Sequence, residues 1–138
     1  MSTLMDNFNE LAVYIHRKTV ENQGITINLE RLEPTTGYMV GTSCNERRIK
    51  LSEFTPDDVY KFIKEKLGRL LFRQYFIGTW ISNDTVYLDI SHRFVNKEIA
   101  IIAGKQQHQI CLWDLADQKE IYWLAEDDLQ LLINHGVI

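Results

Sequence analysis

The chain has 138 residues, of which 45% are hydrophobic and 25% charged, and a formal net charge of −4. This length and composition predict one globular domain over residues 1–138 that folds without metals or disulfides. The chain has no apolar run near the roughly 18 residues of a membrane span. The N-terminus lacks a secretory pattern, and two cysteines are too few for a disulfide framework. We therefore expect a cytoplasmic protein that does not associate with membranes.

Two helices are predicted in the first half of the chain. Apolar residues recur at helical spacing over about residues 4–22, and Gly24 should end this helix in the left-handed conformation. A second helix should begin after Thr55, because Pro56 follows it at the first helical position. Asp58 lies three residues after Thr55, where its carboxylate can return a hydrogen bond to the cap residue.

Strands are predicted between and after these helices by the alternation of apolar and polar residues. Residues 25–29 and 38–40 alternate on either side of a Pro-Thr-Thr-Gly turn at 34–37, which predicts a hairpin. A further short strand is expected at residues 48–51, where apolar side chains alternate with basic ones.

The clearest pattern lies in residues 75–121, which predict a hairpin, a helix and a second hairpin. Two alternating strands flank the polar turn at residues 82–84. Asn96 should cap a helix that extends to about residue 107. Strands at residues 109–113 and 120–124 should then pair through a turn.

A last helix is expected to start at residues 126–128 and to end at Gly136. Helices combined with strands linked by short turns predict an α+β fold with about four helices and an antiparallel sheet, the helices lying on one face. The apolar positions that share a face within each element are predicted to be mostly buried: Phe8, Leu11, Ile15, Val59, Phe62, Ile63, Leu67, Val86, Leu88, Ile90, Ile102, Ile110 and Leu112.

Residues 50–122 carry a recognisable order of motifs. A Gly-x-Trp strand at Gly78 leads by a tight turn into a Val-Tyr-Leu-Asp-x-Ser strand at Val86, then a short helix and a Gln-Ile-Cys-Leu-Trp-Asp-Leu strand at Gln109. This order resembles a small uncharacterised domain found in proteins of bacteriophages and their bacterial hosts. The resemblance implies a phage or mobile-element setting. It implies no mechanism, because the group has no established activity.

No arrangement of reactive residues in the sequence predicts catalysis. Asp89, Ser91 and His92 are the residue types of a hydrolase triad, but in a strand His92 points away from the other two. Cys111 follows His108 by three residues, yet it lies in an apolar strand where a thiol is not activated. We therefore expect a non-enzymatic protein without a cofactor, and the histidines lack the spacing of a metal site.

Asp89 and Asp114 each follow an aromatic and apolar strand segment. Two such carboxylates on neighbouring strands could act as an acid and base pair or bind a cation. Aspartates at strand ends more commonly accept backbone hydrogen bonds in turns. An enzyme that combines Asp89, Asp114 and a distant histidine therefore stays the second alternative.

Aromatic and charged residues instead favour a binding function. Tryptophan and tyrosine anchor protein interfaces, and oppositely charged segments steer association. We therefore predict a small protein-interaction or regulatory protein that binds a protein partner or itself. The alternative is a nucleic-acid-associated protein that uses the basic segment 47–73, which the overall acidity disfavours. The residues predicted to form an interaction surface are Trp80, Trp113, Tyr122, Trp123, Arg47, Arg48, Lys61 and Lys64.

Overall fold

The computed structural model describes residues 4–42, 46–123 and 134–135, apart from the side chains of residues 4–6. Apart from residues 134–135, the helix predicted from residues 126–128 to Gly136 lies outside the described residues. The described part forms four α-helices and a seven-stranded antiparallel sheet, which confirms the predicted α+β class. The elements in chain order are α1 (Leu4–Asn22), β1 (Gly24–Ile27), β2 (Tyr38–Gly41), β3 (Arg47–Lys50), a 3-10 helix (Leu51–Glu53), α2 (Pro56–Glu65), α3 (Leu67–Leu70), β4 (Tyr75–Ser82), β5 (Thr85–Phe94), α4 (Lys97–Gln106), β6 (Cys111–Asp114) and β7 (Lys119–Tyr122).

The sheet has the strand order β1-β4-β5-β2-β6-β7, and β3 also pairs with β5. Two short strands, β2 and β3, therefore lie end to end along the same edge of the long strand β5. The last residue of β2 lies opposite Ser91, and the first residue of β3 lies opposite Leu88. The strand next to β5 is thus interrupted beside Asp89.

The described helices cover one face of the sheet, here called the helix face. Val86, Leu88 and Ile90 of β5 lie on it and are fully buried in the main core with residues of α1, α2 and α3. A smaller core forms where α4 packs on β2 and β6. The alternate β5 residues, including Tyr87 and Asp89, lie on the opposite face, here called the open face, because side chains alternate across a strand. No helix within the described ranges is long and apolar enough to cross a membrane.

Local signals placed several elements correctly. The carboxylate of Asp58 accepts hydrogen bonds from the Thr55 backbone N–H at 2.8 Å and from its hydroxyl at 3.1 Å, so α2 begins as predicted. Asn96 caps α4 by accepting the N–H of Ile99 at 3.0 Å. Asn83 and Asp84 both have positive φ, of 52° and 60°, as a two-residue turn between β4 and β5 requires.

The prediction that Gly24 ends α1 in a left-handed conformation is wrong. Gln23 occupies that position, with φ of 70°. Gly24 is instead the first residue of β1 and lies opposite Trp80. A Cβ atom at Gly24 would collide with the backbone oxygen of Thr79, so close approach between strands requires the glycine.

The hairpin predicted between residues 25–29 and 38–40 is also wrong. β1 pairs with β4, whereas β2 pairs with β5 and β6, so two strands separate them in the sheet. The side-chain oxygen of Asn28 accepts the N–H groups of Glu30 and Leu32, at 3.0 and 2.9 Å, and turns the chain immediately after β1. The following segment then crosses to a distant position in the sheet.

The prediction that Ile102 is buried is wrong, because α4 presents a different face to the sheet. Ile102 is 57% exposed, while Ala100 and Gly104 are buried. The ring of Trp123 lies where a Cβ atom of Gly104 would be, so small residues let the helix approach closely. Leu67 and Ile110 are partly buried, and the other predicted core residues are buried.

Candidate binding surface

A pocket of about 520 Å³ lies on the open face of the sheet. It is lined by residues of β1, β2, β4, β5, β6 and β7, and we call it the open-face pocket. Trp80 and Trp113 contribute aromatic surface, and Asp89 and Glu120 contribute carboxyl groups. The volume falls within the roughly 300–1,000 Å³ that is typical of ligand sites. The pocket is therefore large enough for a side chain of a partner or a small ligand.

The Asp89 carboxyl group fits into the pocket because the residue opposite it in the sheet is a glycine. Gly78 is the direct partner of Asp89 in the pairing of β4 with β5. A Cβ atom at Gly78 would lie only 2.5 Å from Oδ1 of Asp89. The glycine therefore leaves the space that the carboxyl group occupies. No residue in the described ranges donates a hydrogen bond to this carboxyl group.

The environment of Asp89 disfavours its charged form. Burial and, after it, the charge of the nearby Glu46 carboxylate together raise the pKa of its carboxyl group from 3.8 to about 7. The carboxyl group is therefore partly protonated near neutral pH. A cation placed beside it would favour the ionised form, because opposite charges stabilise each other in a partly desolvated site.

Trp80 is held in position by a stack of side chains across three strands. Its ring stacks on that of Tyr87, with the ring centroids 5.1 Å apart and the planes 4° from parallel. Cζ of Arg48 lies 5.5 Å from the centre of the Tyr87 ring, and Nε of Arg48 is 2.9 Å from a carboxylate oxygen of Glu46. The stack restricts the indole while leaving Trp80 37% exposed.

The other side of the pocket is formed by β6 and β7. Trp113, 39% exposed, lies opposite Glu120 in the pairing of these strands. The hydroxyl of Tyr122 donates a hydrogen bond to Glu120, and this bond is the main reason why the pKa of Tyr122 rises to about 12. Burial, followed by the Glu120 charge, raises the pKa of the Cys111 thiol. The thiol therefore favours its neutral form, which is the unreactive one.

The four predicted aromatic residues divide between two environments. Trp80, Trp113 and Tyr122 are exposed on the open face, where Tyr122 is 42% exposed. Trp123, the residue immediately after β7, points to the helix face and packs against Gly104 of α4. Three of the four residues therefore share a surface, and Trp123 belongs to the smaller core.

The four predicted basic residues do not form one surface. Arg47 faces the helices, where its guanidinium is hydrogen-bonded to Glu65, whereas Arg48 lies on the open face. Lys61 and Lys64 are exposed on α2. The sheet therefore separates Arg48 from the other three.

The structure does not bring Asp89 and Asp114 together. Asp114 lies outside the pocket and alternates with the exposed Trp113, so it belongs to the helix face. Its carboxylate accepts the N–H of Asp117 at 3.2 Å, as expected for an aspartate that organises a turn. Asp89 and Asp114 therefore cannot form the acid and base pair that the sequence suggested as an alternative.

His16 and His92 do not line the pocket that contains Asp89. His16 contacts the backbone oxygen of Phe54 at 3.2 Å. His92 lies against the rings of Tyr75 and Phe94, and burial lowers the pKa of its imidazole. None of the lining residues in the described part of the chain is a histidine. Within the same ranges, no three His, Cys, Asp or Glu side chains are grouped so that they could hold a metal ion.

Sequence reasoning missed the pocket and the role of Gly78. A two-residue turn between Ser82 and Thr85 fixes the register of the hairpin, and that register alone places Gly78 opposite Asp89. This pair could therefore have been found from the sequence. Glu120 could not, because its position depends on the pairing of β6 with the distant strand β2.

No protein-family model matches the sequence, and comparison with curated proteins and with solved structures gives no significant match.

Proposed function

We propose that this chain is a small binding protein that recognises a segment of another protein on the open face of its sheet. The observation that supports this proposal is the exposure of Trp80, Trp113 and Tyr122 around a pocket that no described helix covers. Aromatic side chains of this kind anchor protein interfaces, since they bury a large area at a small cost in conformational entropy.

The charges that line the pocket indicate a basic partner segment. Asp89 and Glu120 line the pocket, and Glu46 lies close enough to raise the pKa of Asp89. A segment that carries arginine or lysine complements these charges, and complementary charge raises both the rate and the specificity of association. The proposed partner is therefore a protein with a basic segment.

The resemblance to the phage domain extends this proposal to a biological setting. It covers the strands that carry Gly78, Trp80, Asp89 and Trp113, which are residues of the open-face pocket. We therefore propose that the protein acts in the cytoplasm, in a phage or mobile-element context.

The basic segment 47–73 supports nucleic-acid binding less well. Arg47 pairs with Glu65, and Arg48 lies on the other face of the sheet next to Glu46. Lys61 forms a 3.1 Å ion pair with Asp57. Phosphate binding requires several cations that face the same way, and these pairs disperse and offset the positive charge.

A protein that captures its partner through the two tryptophans should lose it when both are truncated. We expect proteins that co-purify with the tagged wild-type chain from its native cells to fall about tenfold in the Trp80→Ala, Trp113→Ala variant. The matched control is the Lys61→Ala, Lys64→Ala variant, which changes two exposed residues on the helix side. This variant should still co-purify with the same proteins. Quantitative mass spectrometry of the eluates gives the readout, and circular dichroism confirms that each variant is folded.

Equal recovery with the tryptophan variant would contradict the proposal. So would binding to random duplex DNA that weakens steeply with salt and is lost in the lysine variant, because that result would assign the function to the basic segment.

A further inference from the structure

We propose that the open-face pocket holds the cationic side chain, arginine or lysine, of the bound protein segment, with Asp89 as its charge partner and the indoles of Trp80 and Trp113 as its walls. This inference rests on the proposed function and adds the chemistry by which the partner is recognised.

The first support is the balance of charge in the pocket. Asp89 and Glu120 are both acidic, and no lysine, arginine or histidine occurs among the lining residues that the structure describes. An anion would therefore meet two carboxyl groups and no counter-charge. A cation would meet two acceptors of the opposite charge, which is the arrangement that guanidinium and ammonium groups require.

The second support is the position of the Asp89 carboxyl group. Its carboxyl group points into space that Gly78 leaves open, and it accepts no hydrogen bond from the described residues. Because the described residues supply no donor, a partly desolvated carboxyl group that lines a pocket suits a ligand that brings one. Guanidinium and ammonium groups bring five and three N–H donors respectively.

The third support is the pair of aromatic walls. Tryptophan is the side chain whose ring attracts a cation most strongly, and both Trp80 and Trp113 line the pocket. Tyr87 stacks on Trp80 and so limits its reorientation when a ligand enters. The walls also cover the apolar stem of a long cationic side chain, which a hydrated metal ion lacks.

The carboxyl group of Asp89 makes this binding depend on pH. Its pKa of about 7 is raised by burial and by Glu46, and a bound cation lowers it again. Binding therefore releases a proton, and affinity rises as the pH rises through 7. Glu120 and Cys111 also line the site, and Tyr122 is hydrogen-bonded to Glu120. Arg48 lies beyond Tyr87, and Lys50 and Arg93 are further cations on this face among the described residues.

The test uses the whole chain and three small probes: the N-acetyl amides of arginine, lysine and citrulline. Citrulline matches arginine in shape and lacks its charge. We expect the arginine and lysine probes to quench tryptophan fluorescence with an affinity about tenfold above that of citrulline, and to bind more tightly at pH 8 than at pH 6. Asp89→Asn should weaken binding of the charged probes about tenfold at pH 8 and remove the pH dependence.

Two further variants sharpen the result. Gly78→Ala places a methyl group in the space of the Asp89 carboxyl group and should also weaken binding, whereas Asp117→Asn changes an exposed carboxylate in the β6–β7 turn and should leave it unchanged. Equal affinity for arginine and citrulline, or unchanged binding in Asp89→Asn, would overturn the inference. If the probes fail while partner capture still requires Trp80 and Trp113, the cation site is wrong and the proposed function stands. If neither probe binding nor partner capture depends on the pocket residues, both the cation site and the proposed function are wrong.

Discussion

Replacement of Leu88 by alanine should lower the free energy of unfolding by roughly 2–5 kcal/mol. Leu88 is fully buried at the centre of β5, in the core that α1 and α2 form with the sheet. Truncation removes apolar contacts and leaves a cavity that the neighbouring strands β3 and β4 hold open, since both are hydrogen-bonded to β5. Urea unfolding monitored by tryptophan fluorescence measures the change.

Ile102→Ala provides the control for this experiment. The sequence pattern places Ile102 in the core, whereas the structure leaves it exposed on α4. Its truncation should therefore change the free energy of unfolding by less than about 1 kcal/mol. A large decrease in the free energy of unfolding for Ile102→Ala, together with a small decrease for Leu88→Ala, would show that the faces of α4 and β5 are assigned wrongly.

Replacement of Asp89 by asparagine should stabilise the protein at alkaline pH. The pKa of this carboxyl group rises from 3.8 to about 7 on folding, chiefly through burial, so the folded state binds the proton more tightly than the unfolded state does. The favourable contribution of the protonated group is complete below about pH 4 and is lost as the pH rises through 7. A pKa difference of about three units sets an upper bound of about 4 kcal/mol on the stability that the wild-type chain loses as the pH rises, and the partial exposure of Asp89 makes this loss smaller.

The measurement compares urea unfolding of the wild-type chain and Asp89→Asn at about pH 4.5 and about pH 8.5. The variant should gain roughly 1–4 kcal/mol relative to wild type between the two values. Asp117→Asn should differ from wild type by less than about 0.5 kcal/mol at both. A variant that is less stable than wild type at the higher pH would mean that Asp89 has a stabilising partner in the folded chain.

The parts of the fold that local chemistry determines could be predicted from the sequence. Thr55, Pro56 and Asp58 set the start of α2, and a turn that tolerates positive φ at Asn83 and Asp84 sets the β4–β5 hairpin. Each signal acts within a few residues and does not depend on the rest of the chain.

The parts that depend on distant pairing could not be predicted. The residues within β1 do not indicate that it pairs with β4 instead of β2. The two pairings differ only in contacts with distant parts of the chain, which form when the sheet assembles. The same holds for α4. Its larger apolar residues, such as Ile102, predict one buried face, but the ring of Trp123 fits against Gly104 and selects another. The open-face pocket could not be predicted for the same reason, because residues of six strands line it.

The most direct test of the proposed binding surface follows the indole N–H signals of the three tryptophans by ¹H–¹⁵N NMR during titration with a glycine peptide that contains one arginine. Trp80 and Trp113 line the pocket, whereas Trp123 packs against α4 and serves as an internal control. We predict that the signals of Trp80 and Trp113 shift together with the backbone amide of Asp89, and that the Trp123 signal stays in place. Shifts confined to Trp123 or to α1 and α2, or no shift at saturating peptide, would contradict the account.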